Sequence, residues 1–413
     1  KAVYAKYTNF GMQKFRIDFN GQRNLRLAEE SKFTFKMPRY AELLMDTYVV
    51  INMPNIWSPI YPPQTTSDEW RPYEFKWVSN LGSMMVKKVT ISTGGTILQE
   101  FSGEYLYNMA ERDFPESKKQ MFYGMTGNVN ELNSPANTGA RINQYPNSFY
   151  NTSSDGPEPS IRARKLYIPI STWYSHSSKM AFPLVSLQYN ELVIEITMRS
   201  IKELFVIRDV TDERMPYIQP NFNEDLHSFY RFVQMPPSVG LNKEDYDITN
   251  YMSLWNADIH LISTYCFLSN EESKVFALNE QKYLIKDIHE YDFYNFAGSK
   301  RLEINTMGMI SNWMWYCQRS DIHLRNEWTN YTNWPYNYIP YEIEEGDVSG
   351  SLSFDDDTVT YGPGINPSDS TQSGLYITGD FQVANQKEIL NKLAILFDGK
   401  YREGELDSGI YKY

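Results

Sequence analysis

An all-β architecture of sandwiches or barrels is what this sequence predicts, on three observations. Apolar and polar residues alternate with a period of two in four separate segments. Helical spacing is rare. Long connections rich in Pro, Gly, Asn and Ser separate the patterned segments. Many short strands with few helices bury their apolar faces by packing sheet against sheet.

The elements follow in chain order. Phe15, Ile17 and Phe19 alternate with Arg16, Asp18 and Asn20, and Gly21 supplies a turn. Phe33, Phe35 and Met37 alternate with Lys32, Thr34 and Lys36, and Pro38 ends the run. Val89 and Ile91 alternate with Lys88, Thr90 and Ser92 before Gly94-Gly95. Leu192, Ile194, Ile196 and Met198 alternate with Val193, Glu195, Thr197 and Arg199. Each pattern is that of a strand with one buried face. Helices are predicted over residues 103–112, where Leu106 and Met109 are three apart, and over 269–281, where Val275 and Leu278 are; residues 117–122 add a helical turn. Trp313-Met314-Trp315 reads as a strand whose tryptophans share a core face, and residues 409–413 read as a further strand. Residues 57–72, 124–159, 209–224 and 328–379 read as loops. The third of these is the expected linker, dividing the chain into domains at 1–210 and 211–413, the second carrying a long insertion around 328–379. Both halves share the outline of strands, a helical segment and strands with an insertion, without a residue-level repeat.

Composition excludes several classes. Among 413 residues, 39 Lys+Arg against 51 Asp+Glu leave a net charge of −12, too acidic for a protein that coats nucleic acid. Two cysteines, Cys266 and Cys317, cannot staple a disulfide scaffold or form a zinc knuckle. The chain is 41% apolar and 15% aromatic, far from a disordered composition. Its apolar runs, of which Tyr48-Val49-Val50-Ile51 is typical, fall short of the roughly 18 residues of a membrane helix. No basic-then-apolar leader pattern follows Lys1, so no signal peptide is expected.

Nor does catalytic chemistry emerge from the motifs. No phosphate-binding glycine loop, dinucleotide fingerprint, nucleophile elbow or paired-histidine zinc helix is present; Gly399-Lys400 runs into Tyr401. His176, His227, His260, His289 and His323 are too widely spaced for a local metal site. Asp355-Asp356-Asp357 lacks the later ligands of a calcium loop and reads as a solvated tip. The expectation is therefore no catalytic, cofactor or metal residues. Asn151 and Asn330 begin the sequons Asn151-Thr152-Ser153 and Asn330-Tyr331-Thr332, with chance the favoured explanation. Lys87-Lys88 and the run Arg162 to Lys165 are the densest basic clusters, which solvated strand edges explain as well as an anion site does. The 32 Tyr, with Tyr331, Tyr336, Tyr338 and Tyr341 near Trp334 in a polar loop, point to a subunit surface.

Five collinear segments carry a resemblance. Residues 1–20 (KAVYAKYTNFGMQKFRIDFN) open with a "VY…TNF" stretch leading into a strand; residues 91–111 hold a double-glycine turn followed by a short amphipathic helix. The most specific is Pro183-Leu184, two residues, then Leu187-Gln188-Tyr189 before a strand, within residues 167–199. Residues 265–288 and 393–403 supply the fourth and fifth. In these the chain resembles the major capsid proteins of nucleocytoplasmic large DNA viruses. The resemblance implies a double jelly roll: two tandem eight-stranded jelly-roll sandwiches with short helices and long loop insertions, one in each expected domain. It also implies a homotrimer of pseudo-hexagonal outline that tiles the icosahedral shell of a virion assembled in the host cytoplasm, with no catalytic step and no direct nucleic-acid contact. Minor capsid and penton proteins and a nearby inner membrane are the further partners it implies, and the polar loops become tower and intersubunit elements. Residues 328–379 have no aligned counterpart, and members of the family continue past a segment like 409–413. Two other readings compete: a transient scaffold of the poxvirus type, and a carbohydrate-active enzyme or lectin on a double sandwich, which requires paired carboxylates or a ring of exposed aromatics.

Overall fold

The computed structural model describes residues 9–60, 73–148, 158–187, 189–210, 215–236, 255–294, 298–306, 308–332 and 389–411. They form two compact units, one of residues 1–211 and 220–292, the other of 212–219 and 293–413. The expected boundary at 210 falls one residue beyond the end of β10 and well before β11.

In the first unit the strands are β1 (Gly11–Asp18), β2 (Ser31–Lys36), β3 (Leu43–Met53), β4 (Tyr73–Trp77), β5 (Val86–Thr93) and β6 (Thr96–Ser102). Then come β7 (Arg164–Pro169), β8 (Phe182–Pro183), β9 (Leu192–Met198), β10 (Phe205–Asp209) and β11 (His260–Phe267). The helices are α1 (Leu81–Met85), α2 (Gly103–Asp113), α3 (Glu116–Thr126), α4 (Asn130–Asn133), α5 (Phe229–Val233) and α6 (Asn270–Leu278). One sheet has the order β1-β11-β3-β7, with β8 also on β3; a second has β2-β9-β5-β6; β4 pairs with β10 alone. All these pairings are antiparallel. With β4, β8 and β10 set aside, eight strands remain, and along the chain the sheets read 1-8-3-6 and 2-7-4-5. Successive strands change sheet at every step except the β5–β6 hairpin, which is the double Greek key of a jelly roll.

Burial explains why these segments are strands. β2 alternates buried and exposed residues without exception, and β9 turns Leu192, Ile194, Ile196 and Met198 inward. The opposite face of that sheet is laced by charge pairs: Lys32–Glu195 at 2.6 Å, Lys36–Glu191 at 3.2 Å and Lys88–Glu100 at 2.7 Å. β1 leads into Phe19, whose ring packs edge-on against Phe33 at 5.5 Å. β4 and β10 carry an aromatic core in which Phe75 stacks on Phe205 at 4.7 Å, with Phe229 and Phe232 of α5 against them. The buried Tyr145 hydroxyl donates to the Phe75 carbonyl at 2.7 Å and accepts from its N–H at 3.1 Å, anchoring the loop after α4 to β4. α2 buries Leu106 and Met109, the pair predicted to face inward.

Several expectations are corrected. Residues 117–122 belong to a full helix, α3, which Gly127 terminates at φ 81° with its backbone against Leu166 and Leu132. The expected loop 124–159 contains α4 and a 3₁₀ turn, Pro135–Asn137. In α6 it is Phe276 that packs on the buried group Leu43, Ala181 and Cys266, while Val275 and Leu278 face outward.

In the second unit the described strands are β12 (Lys392–Phe397) and β13 (Lys400–Asp407), a hairpin around Asp398-Gly399, both at positive φ. Trp313, Met314 and Trp315 are 36–39% exposed and, among the described residues, 298–332 form no strand. Alternation marks a strand only where a ladder partner and a covering layer exist. Ser408–Tyr411 is a 3₁₀ turn rather than the expected strand.

Candidate functional site

The polar positions singled out above are dispersed and mostly committed to structure. His227 is buried, with Nε2 3.1 Å from the Tyr73 hydroxyl and Nδ1 accepting from the Asn221 N–H at 3.2 Å. His289 lies exposed beside Asp287, and burial together with Lys118 and Lys286 lowers the His176 imidazole below its ordinary value. Among the described residues no group of three or more His, Cys, Asp or Glu has the arrangement of a metal site. Cys266 and Cys317 are free thiols, both pushed up by burial. Asp355, Asp356, Asp357 and the sequon residue Asn151 lie outside the described residues.

The basic clusters resolve into structural contacts. Lys87 pairs with Glu30 and Lys88 with Glu100, across the sheet face. Arg164 donates to the Gly124 carbonyl at 2.9 Å, tying β7 to the end of α3, and Arg162 pairs with Glu158 at 3.5 Å on the surface. Exposed pairs of this kind contribute little stability and set sheet polarity instead.

At the second sequon Asn330 is half-buried. Its Oδ1 accepts from the Thr332 N–H at 3.0 Å and from the Thr332 hydroxyl at 2.6 Å, and its Nδ2 donates to Glu327 at 2.9 Å. The side chain therefore closes a local turn. Tyr331 packs edge-on against Tyr316 at 5.2 Å; the remaining aromatics of that loop lie outside the described residues.

Two arrangements escaped the sequence reading. In the second unit, Arg319 Nε and Arg325 Nε contact opposite oxygens of Asp321 at 3.0 and 2.8 Å, Asp321 and Arg325 being buried and Arg319 partly so. Burial alone would raise the Asp321 carboxyl, but the two guanidiniums hold it below the ordinary value. The i, i+4 spacing of Asp321 and Arg325 is a readable signal for this pair. In the first unit, aromatics gather where β1 begins and β11 ends: Phe15 lies 4.7 Å from Tyr40 and 6.2 Å from Phe267, and Tyr40 lies 5.6 Å from Tyr265. Phe10, Met12 and Tyr40 are 48–63% exposed there. These residues come from three separate segments, so no local pattern announces them. Such a surface suits protein contact, since aromatic side chains bring large area with few rotors.

Comparison with known proteins adds what geometry alone does not. Residues 1–231 match the family model described as the major capsid protein N-terminus. The major capsid protein of Phaeocystis pouchetii virus is 21% identical over 320 residues, which cover 77% of this chain and 54% of that protein. That of Frog virus 3 (isolate Goorha) is 27% identical over 180 residues, 44% of this chain and 35% of its own. The first two curated relatives are matched over 54% and 48% of their lengths, so the chain spans about half of each. Among solved structures, the PBCV-1 virus capsid quasi-atomic model aligns with 100% of this chain and 74% of its own, at TM-score 0.52 and 15% identity, a likeness of fold.

Proposed function

The chain belongs to the major capsid protein family, and from that premise we propose that it is a structural shell protein whose work is to associate with copies of itself in the capsid of a large DNA virus. The observation that carries this reading is the family match over residues 1–231, more than half of the chain. The strand order 1-8-3-6 and 2-7-4-5 supports it, because a closed sandwich leaves short edges and a stiff body suited to a lattice.

In finer detail, residues 1–210 together with the returning strand β11 furnish the first jelly roll, and the remainder of 211–413 furnishes the second. Two rolls per chain and three chains per capsomer give six wedges, the number a hexagonal lattice needs. Minor capsid and penton proteins and an inner membrane lie against the lattice, and the protein resides in the virion. Among the described residues no helix is long and apolar enough to cross a membrane. The reaction inventory is empty in this reading: the protein acts by geometry and area.

Light scattering of the purified chain tests the reading. A homotrimer of the 48.4 kDa chain is expected at about 145 kDa, with threefold particles of hexagonal outline in negative stain. A monodisperse monomer that persists at assembly concentrations overturns it.

A further inference from the structure

We propose that the N-terminal end of β11 is an acid-sensitive latch, in which protonation of His260 frees the closing strand of the first jelly roll from its neighbours. This inference concerns conformational control within one chain and stands whether or not that chain is a shell protein.

The position of β11 makes the latch consequential. It lies between β1 and β3, and among the described residues β1 has no other neighbour in that sheet. The β1 ladder runs from Gly11↔Phe267 to Asp18↔His260, and on its other side His260 opposes Val50 of β3. If this end of β11 lets go, β1 is loosened with it.

The approach to β11 is held by a compact set of contacts. Asp258 sits at φ 44°, a left-handed conformation that a non-glycine residue adopts only when its surroundings hold it there. Arg16 donates to both Asp258 oxygens, at 2.9 and 2.6 Å, and to Asp18 at 2.7 Å. Arg23 lies 3.0 Å from Asp18 and 3.5 Å from Asp258. The Ile259 N–H donates to the Arg23 carbonyl at 3.1 Å, and the Ala257 N–H to Asn24 at 3.0 Å.

His260 is 3% exposed, and its Nδ1 lies 2.5 Å from the Asp258 carbonyl oxygen, so in the neutral ring this nitrogen carries the proton and donates. The charged groups around it are Arg16 and Asp18 from β1, Arg23 from the turn after it, and Asp258 from its own strand's approach; β3 offers Val50, which is uncharged. Two guanidiniums already answer the two carboxylates. Asp258 Oδ2 lies 3.6 Å from Nδ1, and this carboxylate, Asp18 and the Asp258 carbonyl each favour the imidazolium, against Arg16 and burial. Burial then dominates, and it lowers the His260 imidazole below its ordinary 6.5, with Arg16 acting in the same direction.

The sign follows from linkage. A group depressed in the folded state contributes stability above its unfolded value and loses it as the pH falls below that value. Once β11 opens, His260 meets water and takes the proton that the closed strand refuses. Opening therefore grows more favourable below about pH 6.5, by as much as about tenfold per pH unit. Asp258 is also held low, chiefly by its bonds to Arg16, so its own contribution is lost only below the ordinary carboxylate value of 3.8, in a separate window.

Hydrogen exchange of the full chain tests the latch. With intrinsic rates divided out, peptides spanning β11 and β1 are expected to open progressively more as the pH falls from roughly 7.5 to 5.5, by at most about tenfold, while β9 and β5 do not. In His260→Gln this acid step disappears. In Asp258→Asn, where Asn tolerates the left-handed turn, β11 opens more readily at neutral pH and the step near 6.5 persists. Should the His260 variant fail to fold, imidazole titration in the unaltered chain decides instead, with His260 expected below 6.5. Exchange of β11 that is flat over this range, a His260 value at or above 6.5, or a step that vanishes with Asp258 each overturns the proposal.

Discussion

Gly103 shows how tightly single atoms constrain this sandwich. It opens α2 directly after β6, and a Cβ placed on it would lie 1.9 Å from the Ser83 carbonyl oxygen and 2.1 Å from that of Val86. Both are backbone atoms, one at the buried helix α1 and one at the start of β5, so neither can swing aside as a side chain would. Gly103→Ala is expected to cost about 3 kcal/mol, the upper end of overpacking effects. Urea unfolding of the variant measures it, and an unchanged midpoint would mean that α1 and β5 yield at low cost. The exposed lysines of the neighbouring sheet face are the opposite case. Lys88 and Glu100 are half-exposed and screened by water, so their pair sets polarity more than stability.

At the scale of elements, α2 is fixed at its start by Ser102, whose Oγ accepts from the Tyr105 N–H at 3.1 Å and donates to Glu290 at 2.9 Å. Ser102→Ala removes the cap and one bond to Glu290, and the expected loss is about 1 kcal/mol by chemical denaturation; a loss below the error of the measurement would show that the helix start is held by packing alone. Elements with one wet face were the legible ones. β2 and β9 alternate because charge pairs cover one side and core the other, and α2 shows its Leu106–Met109 stripe for the same reason. β3 and β11 hide better: Val49, Val50 and Ile51 are all buried, and so are Ser263, Thr264, Tyr265 and Cys266. A strand covered on both faces has no period to read. Trp313 and Trp315 failed in the other direction, with alternation present and, among the described residues, no strand formed there. Asn330 and the two basic clusters were visible as sequence patterns; Glu327 is a near neighbour of Asn330 in the chain, whereas Glu30 and Gly124, the partners of the basic clusters, are set by the fold. The aromatic group at Phe15, Tyr40 and Phe267 needs three distant segments brought together, which no window along the chain can report.

Across the whole molecule the decisive long-range contact is β11 between β1 and β3. Its partners Asp18 and His260 are 242 residues apart in sequence, so the ordering cost of closing this loop falls on every folding event. The family match ends at residue 231, before β11 begins. A fragment of residues 1–231 therefore lacks the strand that joins β1 to its sheet, exposing one edge of β3 as well as leaving β1 unpaired. Unpaired edges of this length expose rows of backbone donors and acceptors and favour aggregation. A fragment of residues 1–292 contains every strand of both four-stranded ladders in the first unit, together with α6, whose Phe276 packs on Cys266 of β11. The expectation is that 1–292 unfolds in one cooperative transition followed by tryptophan fluorescence, while 1–231 shows a broad, non-cooperative change or precipitates. The contrast separates topology from local propensity, because all four of the period-two strands predicted from sequence alone lie intact in both fragments, and none of them is β11. Cooperative unfolding of 1–231 with a midpoint equal to that of 1–292 would show that β11 is an accessory to this sandwich and not its closing strand.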